Sequence, residues 1–248
     1  MPFRIIIQLI LIPLAIMSTA GEVSARDRLV FNTAALAPYH TPEQTGFIDA
    51  VLQQALGRIG LDITINALPA ERAILNANSG IDDGDALRVA GMEKIYPNLV
   101  RVPEAIGEMR FVAFSRKADF STSAWDSLKP YSVGLINGWK IYERNVTEAK
   151  QINRVKNVKQ LFNLLAYDRA DVVLYGEWQG LAYLNENGLA GVKILQPAFS
   201  RNDMYLYVHA RHRDLVPGIA AALRDMKADG SYQRIVERIL LPLARSNQ

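Results

Sequence analysis

The 248-residue sequence predicts an α/β fold in which mixed, mostly parallel sheets are flanked by helices. Three observations predict it. Short runs rich in Val, Ile and Leu alternate along the chain with segments whose apolar residues recur at three-and-four spacing. Gly, Pro and Asp separate them at the places where turns belong. Cysteine is absent while half of the residues are hydrophobic (50%), so an apolar core, not disulfides, has to hold the fold.

The elements follow in order. Residues 29–33 read as a strand, followed by a loop through Pro38, Tyr39 and Pro42. Ile48, Val51, Leu52, Ala55, Leu56 and Ile59 stripe one face of a helix that Gly60 stops. Residues 62–67 alternate as a half-buried strand, and a second helix opens near Pro69 and ends by Gly80. The turn Asp82-Asp83-Gly84 leads to a strand over 86–89, and residues 110–115 form another. A helical turn at 125–128, a buried strand at 131–136 and a helix opening at Gly138 come next. Val158, Leu161, Phe162 and Leu165 mark a helix, 171–175 a valine-rich strand, and 178–185 a helix ending at Gly188. Two separate strands are expected at 192–195 and 204–209. Two helices close the chain, striped by Val216, Ile219, Ala220 and Leu223 and by Tyr232, Ile235, Val236 and Ile239.

The N-terminus sets the expected compartment. Arg4 precedes an apolar run from Ile5 to Met17, and small residues end at Val23-Ser24-Ala25, the pattern of a cleavable signal peptide over residues 1–25. The run is broken by Gln8 and Pro13 and falls short of the about 20 residues that span a bilayer. Net charge is only +3, with Lys and Arg scattered, so no nucleic-acid partner is expected. No Gly-x-Ser-x-Gly elbow, phosphate loop or dinucleotide fingerprint occurs, and only three histidines are present. No cofactor and no metal site are expected, and His209 and His212 fall three apart on a strand exit, a spacing unsuited to sharing one ion.

The order of several short pieces resembles the extracellular solute-binding proteins of family 3, which serve polar amino-acid ABC transporters. These pieces are Pro38-Tyr39 with Gly46-Phe47, Pro69 with Glu71-Arg72-Ala73, Asp82-Asp83-Gly84, Val133-Gly134 leading to Gly138, and Arg169-Ala170-Asp171. The resemblance implies a two-lobed type II periplasmic binding-protein fold joined by two crossover strands, with lobe 1 from residues 26–112 and 205–248 and lobe 2 from 113–204. It implies a periplasmic, monomeric protein that is not an enzyme. Such a protein closes about a hinge on a small polar solute, anionic or zwitterionic and amino-acid-like, and delivers it to a membrane ABC permease or a sensor protein. The alternatives it leaves open are a cyclohexadienyl-dehydratase-like enzyme, with Glu177 as its acid, and an accessory of a membrane sensor. Family members carry a Thr-x-x-Arg segment after the third strand, whereas residues 91–98 here contain no Arg.

In sheets of this kind ligands sit beyond the C-terminal ends of the strands. Eight residues fall there and form the expected ligand site. Arg72 and Arg88 offer guanidinium forks to an anion, with surface ion pairing as the alternative. Tyr39 offers an aromatic wall, or simple packing. Gly138 opens a helix whose amides can face an anion, flanked by Trp139 as a stacking face and Lys140 as a charge. Tyr175 and Glu177 close the far end of the valine-rich strand.

Overall fold

The computed structural model describes residues 28–245, so the signal peptide expected over 1–25 lies outside them. Strand β1 (Arg28–Thr33) and β2 (Asp62–Ala67) pair in parallel from Arg28↔Asp62 to Thr33↔Ala67, joined by helix α1 (Phe47–Gly57). The helix starts where Asp49 Oδ2 accepts the Gly46 N–H at 2.9 Å, and Gly60, at φ +81°, turns the chain back. Its expected stripe is buried, with Ile48, Val51, Leu52, Ala55 and Leu56 all at 0% exposure, whereas Ile59 lies beyond its end at 36%.

Helix α2 (Ala70–Asn78) begins after Pro69 and buries Ala73, Ile74 and Ala77. Strand β3 (Gly84–Arg88) returns parallel to β1. Gly84 is required there, because a Cβ would sit 2.1 Å from the Tyr207 carbonyl oxygen. Strands β4 (Leu99–Arg101) and β5 (Gly107–Ser115) follow. A second parallel set is made by β6 (Ser132–Ile136), β7 (Gln151–Val155) and β8 (Val172–Gly176), with α3 (Lys140–Asn145) and α4 (Val158–Ala166) between them. Helix α5 (Glu177–Glu186) leads to β9 (Lys193–His209), and α6 (Val216–Ala228), α7 (Ser231–Ile239) and α8 (Leu241–Arg245) end the described chain.

The strand order is β2-β1-β3-β9-β5-β8-β6-β7, with β4 also on β9. Strand β9 corrects the expectation of two strands at 192–195 and 204–209, since it runs unbroken for 17 residues. Its middle, 196–203, is polar and contains Pro197, so it carries no strand-like alternation. Pairing with β5 supplies what local sequence does not: Glu108↔Asp203, Met109↔Asn202, Arg110↔Arg201 and Phe111↔Ser200 are in register. A register shift between Phe111 and Ala113 then accommodates the proline segment before Ala113↔Leu195. Strand β7 was not anticipated, because Gln-Ile-Asn-Arg-Val at a sheet edge leaves no residue fully buried.

Apolar residues collect into separate cores. One joins Phe31, Ile65, Ala86 and Leu206 of the first strand set to α1 and α6. Two more lie on opposite faces of the second set, around Phe114, Phe162 and Val173 and around Leu135, Tyr142 and Leu174. This is a two-lobed α/β architecture with β5 and β9 running side by side through its middle.

Candidate functional site

All eight expected residues lie at or just beyond the C-terminal ends of parallel strands: Tyr39 after β1, Arg72 in the first turn of α2, Arg88 ending β3, Gly138 to Lys140 after β6, and Tyr175 and Glu177 where β8 meets α5. Their environments differ sharply.

Arg72 is exposed and has no hydrogen-bond or ion-pair partner among the described residues. Arg88 does have one. A bulge at Leu87, whose φ is +64°, places Arg88 on the same side as Asp85, three residues earlier, where a regular strand would oppose them. Arg88 Nε donates to Asp85 Oδ2 at 2.7 Å and Nη2 donates to the Ala70 carbonyl at 2.7 Å. The guanidinium thus holds the first turn of α2 to β3 through Nε and Nη2, the ion pairing that the sequence left as its alternative role. Asp85 is fully buried, and burial pushes its carboxyl up to about 6 although Arg88 pulls the other way.

Trp139 caps the C-terminal edge of the second strand set. Its ring lies 4.7 Å from Tyr175, stacks on Tyr142 at 5.8 Å and meets Phe111 edge-on at 6.1 Å. Trp139 itself stays partly exposed, whereas Tyr175 is 7% exposed and its hydroxyl is pushed up to about 12 by burial. The Gly138 amide, expected to face an anion, donates instead to Glu143 Oε1 at 2.8 Å, and Lys140 Nζ pairs with Glu143 Oε2 at 2.8 Å. Those two contacts, Lys140 first, hold the Glu143 carboxyl below its usual range. Glu143 is therefore the internal anion of this loop, a role invisible in the sequence because an exposed i,i+3 Lys–Glu pair looks like ordinary helix surface.

Tyr39 is 1% exposed and edge-on to Phe47 at 6.2 Å, so it packs in the first core and does not line an open wall. Its hydroxyl donates to the Glu108 carbonyl at 3.4 Å, and burial raises it well above the usual phenol range, with Glu177 adding to the shift. Glu177 is 8% exposed and bound to Arg110, whose Nη1 lies 3.1 Å from Oε1 and 2.9 Å from Oε2. Only the first of these is aligned as a hydrogen bond. Burial raises the Glu177 carboxyl, partly offset by Arg110 and Arg201. Arg110 was not expected in this region; its residue type in a strand gives no local signal.

The structure thus joins Trp139 to Tyr175 and Gly138 to Lys140 through Glu143. Sequence reasoning also missed Leu36, which is 62% exposed and lines a cavity of about 660 Å³ with Pro42, Ile65, Ala67 and Glu186. None of the eight expected residues lines that cavity.

No family model matches the chain. A protein of Shewanella oneidensis described as uncharacterized is 27% identical over 218 residues, 82% of this chain and 80% of that one. The fold matches an ancestral arginine-binding protein bound to glutamine (TM-score 0.67, 23% identity, 86% of this chain and 98% of that one). It also matches the GluR0 ligand-binding core of Nostoc punctiforme in complex with L-glutamate (0.68, 17%, 85% and 98%) and the substrate-binding protein of an amino-acid ABC transporter (0.65, 18%, 86% and 98%). The chain has the two-lobed type II periplasmic binding-protein fold. Among the described residues no helix is long and apolar enough to cross a membrane.

Proposed function

We propose that the protein is an exported solute-binding protein that captures a small polar ligand, anionic or zwitterionic, between two lobes and delivers it to a membrane ABC permease. The lobes are residues 26–112 with 205–248, and residues 113–204. Closure bends the paired strands β5 and β9 where they pass between the cores. The observation that carries this reading is the contrast between the two arginines on one lobe rim: Arg88 is tied to Asp85 while Arg72 is exposed and has no partner among the described residues. A free guanidinium at the C-terminal edge of the strands suits a carboxylate. Trp139, partly exposed across the opposite edge, supplies an aromatic face. The acid that an enzyme would need, Glu177, is engaged by Arg110.

A thermal-shift screen of amino acids, polyamines, organic acids and small sugars tests the ligand class, because a ligand that binds only the folded protein raises its melting temperature. The expected hits are acids or zwitterions, with Arg72→Ala weakening binding about tenfold or more. Hits confined to neutral sugars or polyamines would reject the anion grip, and small-angle scattering that shows no compaction with a bound ligand would reject hinge closure.

A further inference from the structure

We propose that the 660 Å³ cavity beside His40 is a binding site for a small organic ammonium ion. Its size lies within the roughly 300–1,000 Å³ of small-molecule sites. His40 is 5% exposed and lines the cavity. Its Nδ1 lies 2.7 Å from Asp49 Oδ1. Asp49 is fully buried, and its other oxygen already accepts the N–H groups of Thr41 at 3.1 Å and Gly46 at 2.9 Å. A carboxylate so placed accepts a hydrogen bond from Nδ1–H, and in the neutral imidazole that tautomer carries its acceptor lone pair on Nε2. Nε2 has no hydrogen-bond partner among the described residues.

The rest of the lining matches a cation with an apolar body. Leu36, Pro42, Ile65 and Ala67 form its walls, and Glu43 and Glu186 stand in it without ion-pair partners among the described residues. No Lys or Arg lines it, so an ammonium group meets one imidazole lone pair and two carboxylates with no competing positive charge. A carboxylate ligand would meet the reverse. Glu186 comes from α5 and the other residues from the loop after β1 and from β2, so an occupant touches elements of both strand sets.

This site stands apart from the anion grip proposed for Arg72, and the two fail separately. The probe is phenethylamine, with 3-phenylpropionate as an anion of similar size, titrated calorimetrically into the protein while the His40 imidazole is followed by ¹⁵N NMR. Phenethylamine should bind, shift the His40 Nε2 resonance, and bind at least about tenfold more tightly than 3-phenylpropionate. His40→Asn retains a donor for Asp49 and deletes Nε2; it should fold and lose about tenfold in amine affinity. Glu43→Gln with Glu186→Gln, both exposed, should lower it further, while Arg72→Ala should leave it unchanged. Equal binding of the two probes, no phenethylamine binding, or unaltered affinity in the His40 and Glu variants would overturn the proposal.

Discussion

Asp85 and Arg88 show how a short bulge decides what a charged side chain can do. Burial places the Asp85 carboxyl at about 6 against its ordinary 3.8, so the folded protein favours the neutral acid more than the unfolded chain does. Its stabilising contribution is therefore full below pH 3.8 and is lost as pH rises to about 6, a difference of about 3 kcal/mol. Asp85→Asn keeps an acceptor for Arg88 and removes the titration. Urea unfolding at a series of pH values from 4 to 7 should show a fall in wild-type stability over that window that the variant lacks; parallel profiles would mean that Arg88 neutralises the burial penalty completely. The sequence located Arg88 at a strand end but not its partner, because i,i+3 residues in a regular strand point to opposite faces. Only the left-handed Leu87, at φ +64°, reverses that, and a leucine gives no local warning of such a turn.

At the level of elements, the helices were the most legible parts. Val158, Leu161, Phe162 and Leu165 appear as α4, opened by Asn157 Oδ1 accepting the Gln160 N–H at 2.9 Å, and the stripes on α6 and α7 likewise lie on helices. Their signals are periodic and local, so the sequence carries them whole. Strands depend on neighbours: the polar middle of β9 becomes a strand only because β5 lies beside it, and the edge strand β7 has no buried stripe. The same dependence makes the seat of α5 on β5 sensitive at Gly180, where an added Cβ would stand 2.1 Å from Phe114 Cζ. Phe114 is fully buried and stacked edge-on against Phe162 at 5.3 Å, so its ring has little room to retreat. Gly180→Ala should lower stability by about 1–3 kcal/mol in chemical denaturation, with no gain from helix propensity large enough to offset it. A variant as stable as the wild type would mean that the contact between α5 and β5 is looser than its geometry indicates.

Across the whole molecule, β5 and β9 oppose like charges in sequence: Glu108 faces Asp203, and Arg110 faces Arg201. Such pairing is unfavourable unless a counter-charge intervenes, and Glu177, at the start of α5, supplies it to the two arginines. The arrangement looks like a stabilising ion pair, yet the balance of effects on Glu177 points the other way. Burial is the largest of them and outweighs the pull of Arg110 and Arg201, so its carboxyl titrates above the ordinary 4.5. A raised value means that the folded state holds the Glu177 proton more tightly than the unfolded chain does, and stability attributable to it declines as pH rises through that region. Glu177→Gln, which resembles the protonated acid, should therefore leave the protein at least as stable as the wild type at pH 7, where simple loss of an ion pair would predict a deficit. Glu177→Ala differs, because it removes the side chain and leaves the partly buried Arg110 guanidinium without its acceptor; it should be clearly less stable than the Gln variant. Comparing unfolding of the three proteins at pH 4 and pH 7 separates the cases. If Glu177→Gln lost stability only at pH 7, the ionised pair would be a net brace between β5 and α5, and the ranking of burial over attraction at this junction would have to be reversed.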